Sequence, residues 1–127
     1  MSKDLRSPFA RAVGLGSARE GVAHWWAQRV TAIALLPLTV WFGAALISIA
    51  GSDHASIIHW LQSPLSTIGM VLLLIALFHH TALGLQVVIE DYIHSGIKLP
   101  LLIAMRLVCY ALAVAGIVAS LRITLGG

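Results

Sequence analysis

Sulfur and charge are scarce in this chain. Cys109 is the single cysteine among 127 residues, which excludes an intrachain disulfide and any cysteine-pair metal site; lying inside an apolar run, it reads as core packing. Charged residues make up only 10% of the sequence against 59% apolar ones, with a mean hydropathy of +0.94. A water-soluble domain carries far more charge than that. Catalytic signatures are missing too. Gly14, Leu15 and Gly16 begin a dinucleotide-type pattern, but Arg19 stands where the last glycine would fall and no strand precedes it. Ser52, Asp53 and His54 are consecutive, which gives no triad geometry. The first 29 residues hold no short apolar core followed by a small-residue cleavage site, and Asp4 and Glu20 make them a poor organellar transit peptide, which favours a bacterial chain.

Long charge-free runs dominate what remains. Val30 to Ser52 covers 23 positions without a charge and Leu65 to Ile89 covers 25, each more than the roughly 20 residues a spanning helix needs. A third run, Leu99 to Leu121, is interrupted only by Arg106, which lies near its start and is expected to snorkel towards the adjacent interface. The expectation is an all-α membrane protein, a single anchor domain over 1–127. It comprises an inside arm (1–25) and spans near 27–51, 65–89 and 99–121. An outside loop with Gly51, Ser52, Asp53 and Pro64 as turn formers joins the first two spans, and a short inside loop from Glu90 to Lys98 joins the last two. Pro37 removes the backbone N–H that would donate to the Ile33 carbonyl in the first span and implies no function by itself. Ala104, Ala111, Ala115 and Ala119 form a smooth stripe on the third, suited to close approach of another helix. Three helices enclose little volume, so a partner subunit is expected.

Charge asymmetry orients the spans. Lys3, Arg6, Arg11, Arg19 and Arg29 precede the first, Lys98 and Arg106 flank the start of the third, and only Arg122 falls on the other side. The positive-inside rule places the amino terminus in the cytoplasm of a bacterium, or less readily in a mitochondrial matrix. The net charge of +3 is therefore a topology signal. No aromatic-interleaved patch or reader motif accompanies it, so nucleic acid is not a partner.

His79 and His80 lie in the middle of the second run, at a depth where an imidazole is costly unless something satisfies it. Gly84 sits one turn after His80 and about 40° from it around the axis, so the face that offers the imidazole also lacks a side chain, and a flat macrocycle has room there. Spacing alone leaves two readings of His80 level: a haem ligand, or a core histidine bonded to a neighbouring helix with Gly84 as a packing glycine. His79 points about 100° away and suits a hydrogen bond within the bundle or an interface contact. His24 and His94 lie near the inside surface, and His54 and His59 near the outside loop. A six-coordinate haem would then take its other axial ligand from a second membrane subunit.

Asp91 and Tyr92 follow His80 by about 16 Å along the axis and reach the inside boundary. A tyrosine hydroxyl beside a carboxylate there suits hydrogen bonding and proton delivery to a quinone carbonyl, while the plainer reading is an interfacial tyrosine with an acidic loop residue. On the first span, the run His24, Trp25, Trp26, Ala27, Gln28, Arg29 opens at the same level. Arg29 fits either a charge-assisted contact to a haem propionate or a positive-inside arginine beside an aromatic anchor.

The run HWWAQRVTA opening the first span and HTALGLQVVIEDY ending the second together resemble the smaller hydrophobic anchor subunits of succinate dehydrogenase, respiratory complex II, over nearly the whole chain. The resemblance implies one haem b shared with a larger cytochrome b anchor that supplies the other axial ligand. It also implies a flavoprotein and an iron-sulfur subunit docked on the inside face. His80 then corresponds to the axial ligand to the haem iron, Arg29 to a propionate contact, and Tyr92 with Asp91 to part of the ubiquinone site; succinate itself would be oxidised on another subunit. Two other classes stay open at this point: a haem b subunit of another quinone-linked complex such as a hydrogenase or formate dehydrogenase, and a cofactor-free assembly subunit.

Overall fold

No water is available in a bilayer core to take up backbone N–H and C=O groups, so long apolar runs close their hydrogen bonds as helices. The computed structural model describes residues 17–126, with side chains from Gly21 onward, and every regular element in it is helical. In chain order these are α1 (Ser17–Ile49), α2 (His54–Gln62), α3 (Pro64–Tyr92) and α4 (Lys98–Thr124). Three of them, over Gly21–Ile49, Pro64–Tyr92 and Lys98–Thr124, are long and apolar enough to cross a membrane. The expected all-α class with three spans therefore stands. Lys3, Arg6, Arg11 and the Gly14–Gly16 pattern lie outside the described residues.

Two boundaries differ from expectation. The first helix begins at Ser17, well inside the stretch read as an arm. The stretch read as an outside loop holds the nine-residue helix α2. Asp53, taken for a turn former, is its N-cap: the carboxylate accepts from the Ser56 amide at 3.1 Å and satisfies a donor that the first turn leaves orphaned. The Ser56 hydrogen bonds hold the Asp53 carboxyl below its ordinary value. Ser63 then ends α2 and caps α3, with Pro64 in the first turn, where its missing amide costs nothing. Gly51, at φ 81°, supplies the left-handed residue that turns the chain after α1.

α3 is central, packing along α1 on one side and α4 on the other, and α2 folds back against α3 and α4. The distal edge of the Trp41 indole of α1 lies against Gly69, where an added Cβ would come within 2.6 Å of it. Trp60 of α2 stacks on the same indole at 6.1 Å between centroids. Glycine is what lets α1 approach α3 this closely. At the same end, Gln62 Nε2 donates to the Ile123 carbonyl at 3.1 Å and the Thr67 and Thr124 hydroxyls meet at 2.7 Å, joining α2 and α3 to the end of α4. Inside the layer, Leu73, Ala76, Ala82, Cys109 and Ala113 are buried; the lone cysteine is packing, as expected. Most other large side chains face outward, with Ile47 still 79% exposed. A layer with so little interior keeps its apolar faces for lipid or another subunit.

Candidate functional site

Side chains at positions 24, 28 and 31 share one face of α1, since seven residues bring a helix round to within about 20°. That face meets α3. The Thr31 hydroxyl lies 2.8 Å from the Ala27 carbonyl of its own helix and 2.9 Å from His80 Nδ1 across the seam. With the hydroxyl proton directed at Ala27, the threonine oxygen accepts from an Nδ1–H. That tautomer leaves the lone pair of His80 on Nε2, the form in which an imidazole binds a metal. Thr31 was not singled out by sequence reasoning, because nothing in the sequence says which turn of α1 lies level with His80.

Gly84, four residues on, also turns towards α1: a Cβ there would stand 3.6 Å from Gln28 Nε2. The gap is thus filled by Gln28 of the same chain. The plain side of the paired reading, a glycine at a helix seam, describes Gly84 within this chain.

His79 points the other way, as expected. Its Nδ1 lies 3.1 Å from the Tyr110 hydroxyl of α4, with the rings 6.2 Å apart. It also lines two openings between the helices. One is an apolar groove of about 400 Å3 whose walls include Val30, Thr31, Pro37 and Leu72; the other is a polar cavity of about 470 Å3 lined in part by His24, Gln86 and Arg106. The exposed Arg106 guanidinium donates to Gln86 Oε1, and Gln86 Nε2 donates in turn to Glu90 Oε1 at 2.9 Å.

The remaining site residues stand apart. Arg29, two residues before Thr31, falls about 160° round α1 from it. It is exposed, its guanidinium 5.1 Å above the Trp25 ring in a cation–π contact. Asp91 and Tyr92 end α3, both exposed, with Tyr92 81% accessible. The structure thus joins His80 to Thr31 but leaves Arg29, Asp91 and Tyr92 on open surface. Two buried polar atoms, His24 Nε2 and Gln28 Oε1, find no partner among the described residues.

A helical layer with a hydrogen-bonded histidine at mid-span, open flanks and an exposed Asp-Tyr pair at one helix end has the make-up of a membrane-embedded subunit. Comparison with known proteins agrees. Residues 3–120 match the model of the succinate dehydrogenase/fumarate reductase transmembrane subunit family, and the chain belongs to that family. Among its relatives, the succinate dehydrogenase hydrophobic membrane anchor subunit of Rickettsia bellii (strain RML369-C) is 38% identical over 120 residues, 94% of this chain and 96% of the relative. Subunits of the same description from Rickettsia conorii (strain ATCC VR-613 / Malish 7) and Paracoccus denitrificans are 33% and 30% identical, over 94% of this chain and 96% and 93% of theirs. Of the classes left open by the residues alone, the succinate dehydrogenase anchor is the one supported.

Proposed function

We propose that this chain is the smaller anchor of a succinate:quinone oxidoreductase in a bacterial cytoplasmic membrane, amino terminus inside, linking the tricarboxylic acid cycle to the respiratory chain. In this reading it holds haem b jointly with a cytochrome b anchor, and contributes Tyr92 and Asp91 to the ubiquinone site. A flavoprotein subunit oxidises succinate and an iron-sulfur subunit passes on the electrons, so this chain supplies position rather than succinate chemistry. The observation that supports the haem reading is the Thr31–His80 hydrogen bond, which engages Nδ1 at mid-span; with the proton on Nδ1, Nε2 carries the lone pair a metal needs. The other ligand to the iron would come from the partner anchor.

Bound haem supplies a one-electron couple within reach of the quinone site. The chain's own residues do the rest. Thr31 orients the His80 ring and raises the basicity of Nε2 by accepting from the opposite nitrogen. Arg29, exposed on α1, would pair with a haem propionate. Tyr92 donates a hydrogen bond to a quinone carbonyl, and Asp91 beside it holds a proton for the reduced oxygen.

Purification of the complex from its native membrane tests this. Four subunits, a covalent flavin on one of them and a b-type reduced-minus-oxidised spectrum are expected; a fully assembled complex without b-type absorbance overturns the haem assignment.

A further inference from the structure

Lipid gives two helices no hydrophobic reason to associate, so the register of a membrane seam rests on close packing and on hydrogen bonds that cross it. The outer half of the α3–α4 seam packs tightly, with Leu74 3.1 Å from where a Cβ on Gly116 would stand. The inner half carries polar rungs. Tyr110 meets His79 at 3.1 Å, Arg106 donates to Gln86 Oε1, and Lys98 Nζ donates to the Glu90 carbonyl at 3.4 Å. From 110 back to 98 on α4 and from 79 on to 90 on α3, these pairings keep one antiparallel register. The last two rungs converge on Glu90. Its carboxylate accepts from the Gln86 amide at 2.9 Å, and its carbonyl is one of the acceptors that a helix leaves open at its C-terminus. Two cations of α4, Arg106 exposed and Lys98 half-buried, thus hold the last two turns of α3 at two levels.

Those turns end in Asp91 and Tyr92. Tyr92 falls about 160° round the helix from Glu90, so the side of α3 that α4 holds is nearly opposite the side that carries the tyrosine. Helix ends fray, and α3 stops at Tyr92 itself, with Ile93 already extended. The tyrosine's place therefore depends on what secures the turns before it. We propose that Arg106 and Lys98 are positioning residues for quinone reduction, fixing the depth and rotation at which the end of α3 offers the Tyr92 hydroxyl and the Asp91 carboxylate. Resting on the quinone reading of Tyr92 and Asp91 given above, the role is one of placement and involves no contact with the quinone. A little slack suffices to matter, since a misplacement of about 1 Å at reacting groups costs on the order of 100-fold in rate.

Arg106→Met and Lys98→Met in the whole membrane complex test this by two readouts. Hydrogen exchange over residues 88–93, followed by mass spectrometry, should quicken in each. The kcat/KM for ubiquinone should fall about three- to tenfold, mostly through KM, as expected for the loss of one interhelical hydrogen bond. Succinate oxidation with an artificial acceptor should hold. Arg106→Lys and Lys98→Arg keep a donor and should stay near wild type, and exchanging the partners, Arg106→Gln with Gln86→Arg, should restore both readouts. Exchange at the wild-type rate in both methionine variants overturns the proposal, and so does quickened exchange with an unchanged kcat/KM for ubiquinone. Should Arg106→Met prevent assembly, Gln86→Leu removes the same rung without touching a charge and carries the test. Tyr92→Phe keeps the two readings apart. If it slows quinone reduction while the methionine variants do not, the quinone site stands and the positioning role falls. If Tyr92→Phe is silent while the methionine variants quicken exchange and weaken quinone turnover, the hydroxyl's role falls and the hold of α4 on the end of α3 stands.

Discussion

Thr31 and His80, 49 residues apart, meet at 2.9 Å across the seam between α1 and α3, while the Thr31 hydroxyl also lies 2.8 Å from the Ala27 carbonyl of its own helix. The contact engages Nδ1, so the ring of His80 is oriented by a residue of another helix.

Thr31→Val keeps the volume and removes the acceptor. Outer-shell partners of this kind are worth about 10- to 100-fold in metal affinity, so the variant should release haem at least about tenfold more readily in a competition assay, while Thr31→Ser should remain near wild type. Equal retention in all three would show that the bond does not orient the ligand.

The two adjacent histidines should respond differently. His80→Ala should abolish or shift the haem spectrum. His79→Phe removes only the bond to Tyr110, a net contribution of about 1 kcal/mol, and should leave the spectrum in place with a modest loss of thermal stability. Reversal of that order would move the ligand to His79.

Tyr92→Phe should slow ubiquinone reduction while succinate oxidation with an artificial acceptor continues at close to the wild-type rate. Unchanged quinone turnover would rule out an essential hydroxyl.

At Gly69, an added methyl group would meet the Trp41 indole at 2.6 Å, and that indole is also stacked on Trp60, so the ring would have to shift. Gly69→Ala should cost about 1–3 kcal/mol, the usual range for overpacking. Pairing it with Trp41→Leu should recover part of the loss in a detergent unfolding titration; additive losses would mean the contact is not the cause.

Asp53 caps α2 from outside the spans, and its carboxyl titrates below its ordinary value because the ionised form accepts from Ser56. A carboxyl with a depressed folded pKa contributes stability that is complete above the unfolded value of 3.8 and is lost as the pH falls through the folded one. Hydrogen exchange over residues 54–58 should therefore be faster in Asp53→Ala than in wild type at neutral pH, and the difference should vanish in strong acid. A difference that persists there would assign the protection to something other than the charge.

Class, span number and the main candidates were all legible in the sequence, because each rests on local physics. Charge-free runs longer than a bilayer is thick close into helices whatever their neighbours, and an imidazole at mid-span demands a partner before any fold is known. Placement of His79 and His80 on separate faces follows from the helical period alone, and the structure sends them to different helices, Tyr110 on α4 and Thr31 on α1. What only the tertiary structure decided is which side chains meet across a seam: Thr31 with His80, Gln28 filling the space beside Gly84, Arg106 bonded to Gln86, and Trp41 resting on Gly69. Those pairings depend on the depth and rotation at which one helix docks on another. Docking is set by the sum of many weak packing contacts along its whole length, and no local pattern encodes such a sum.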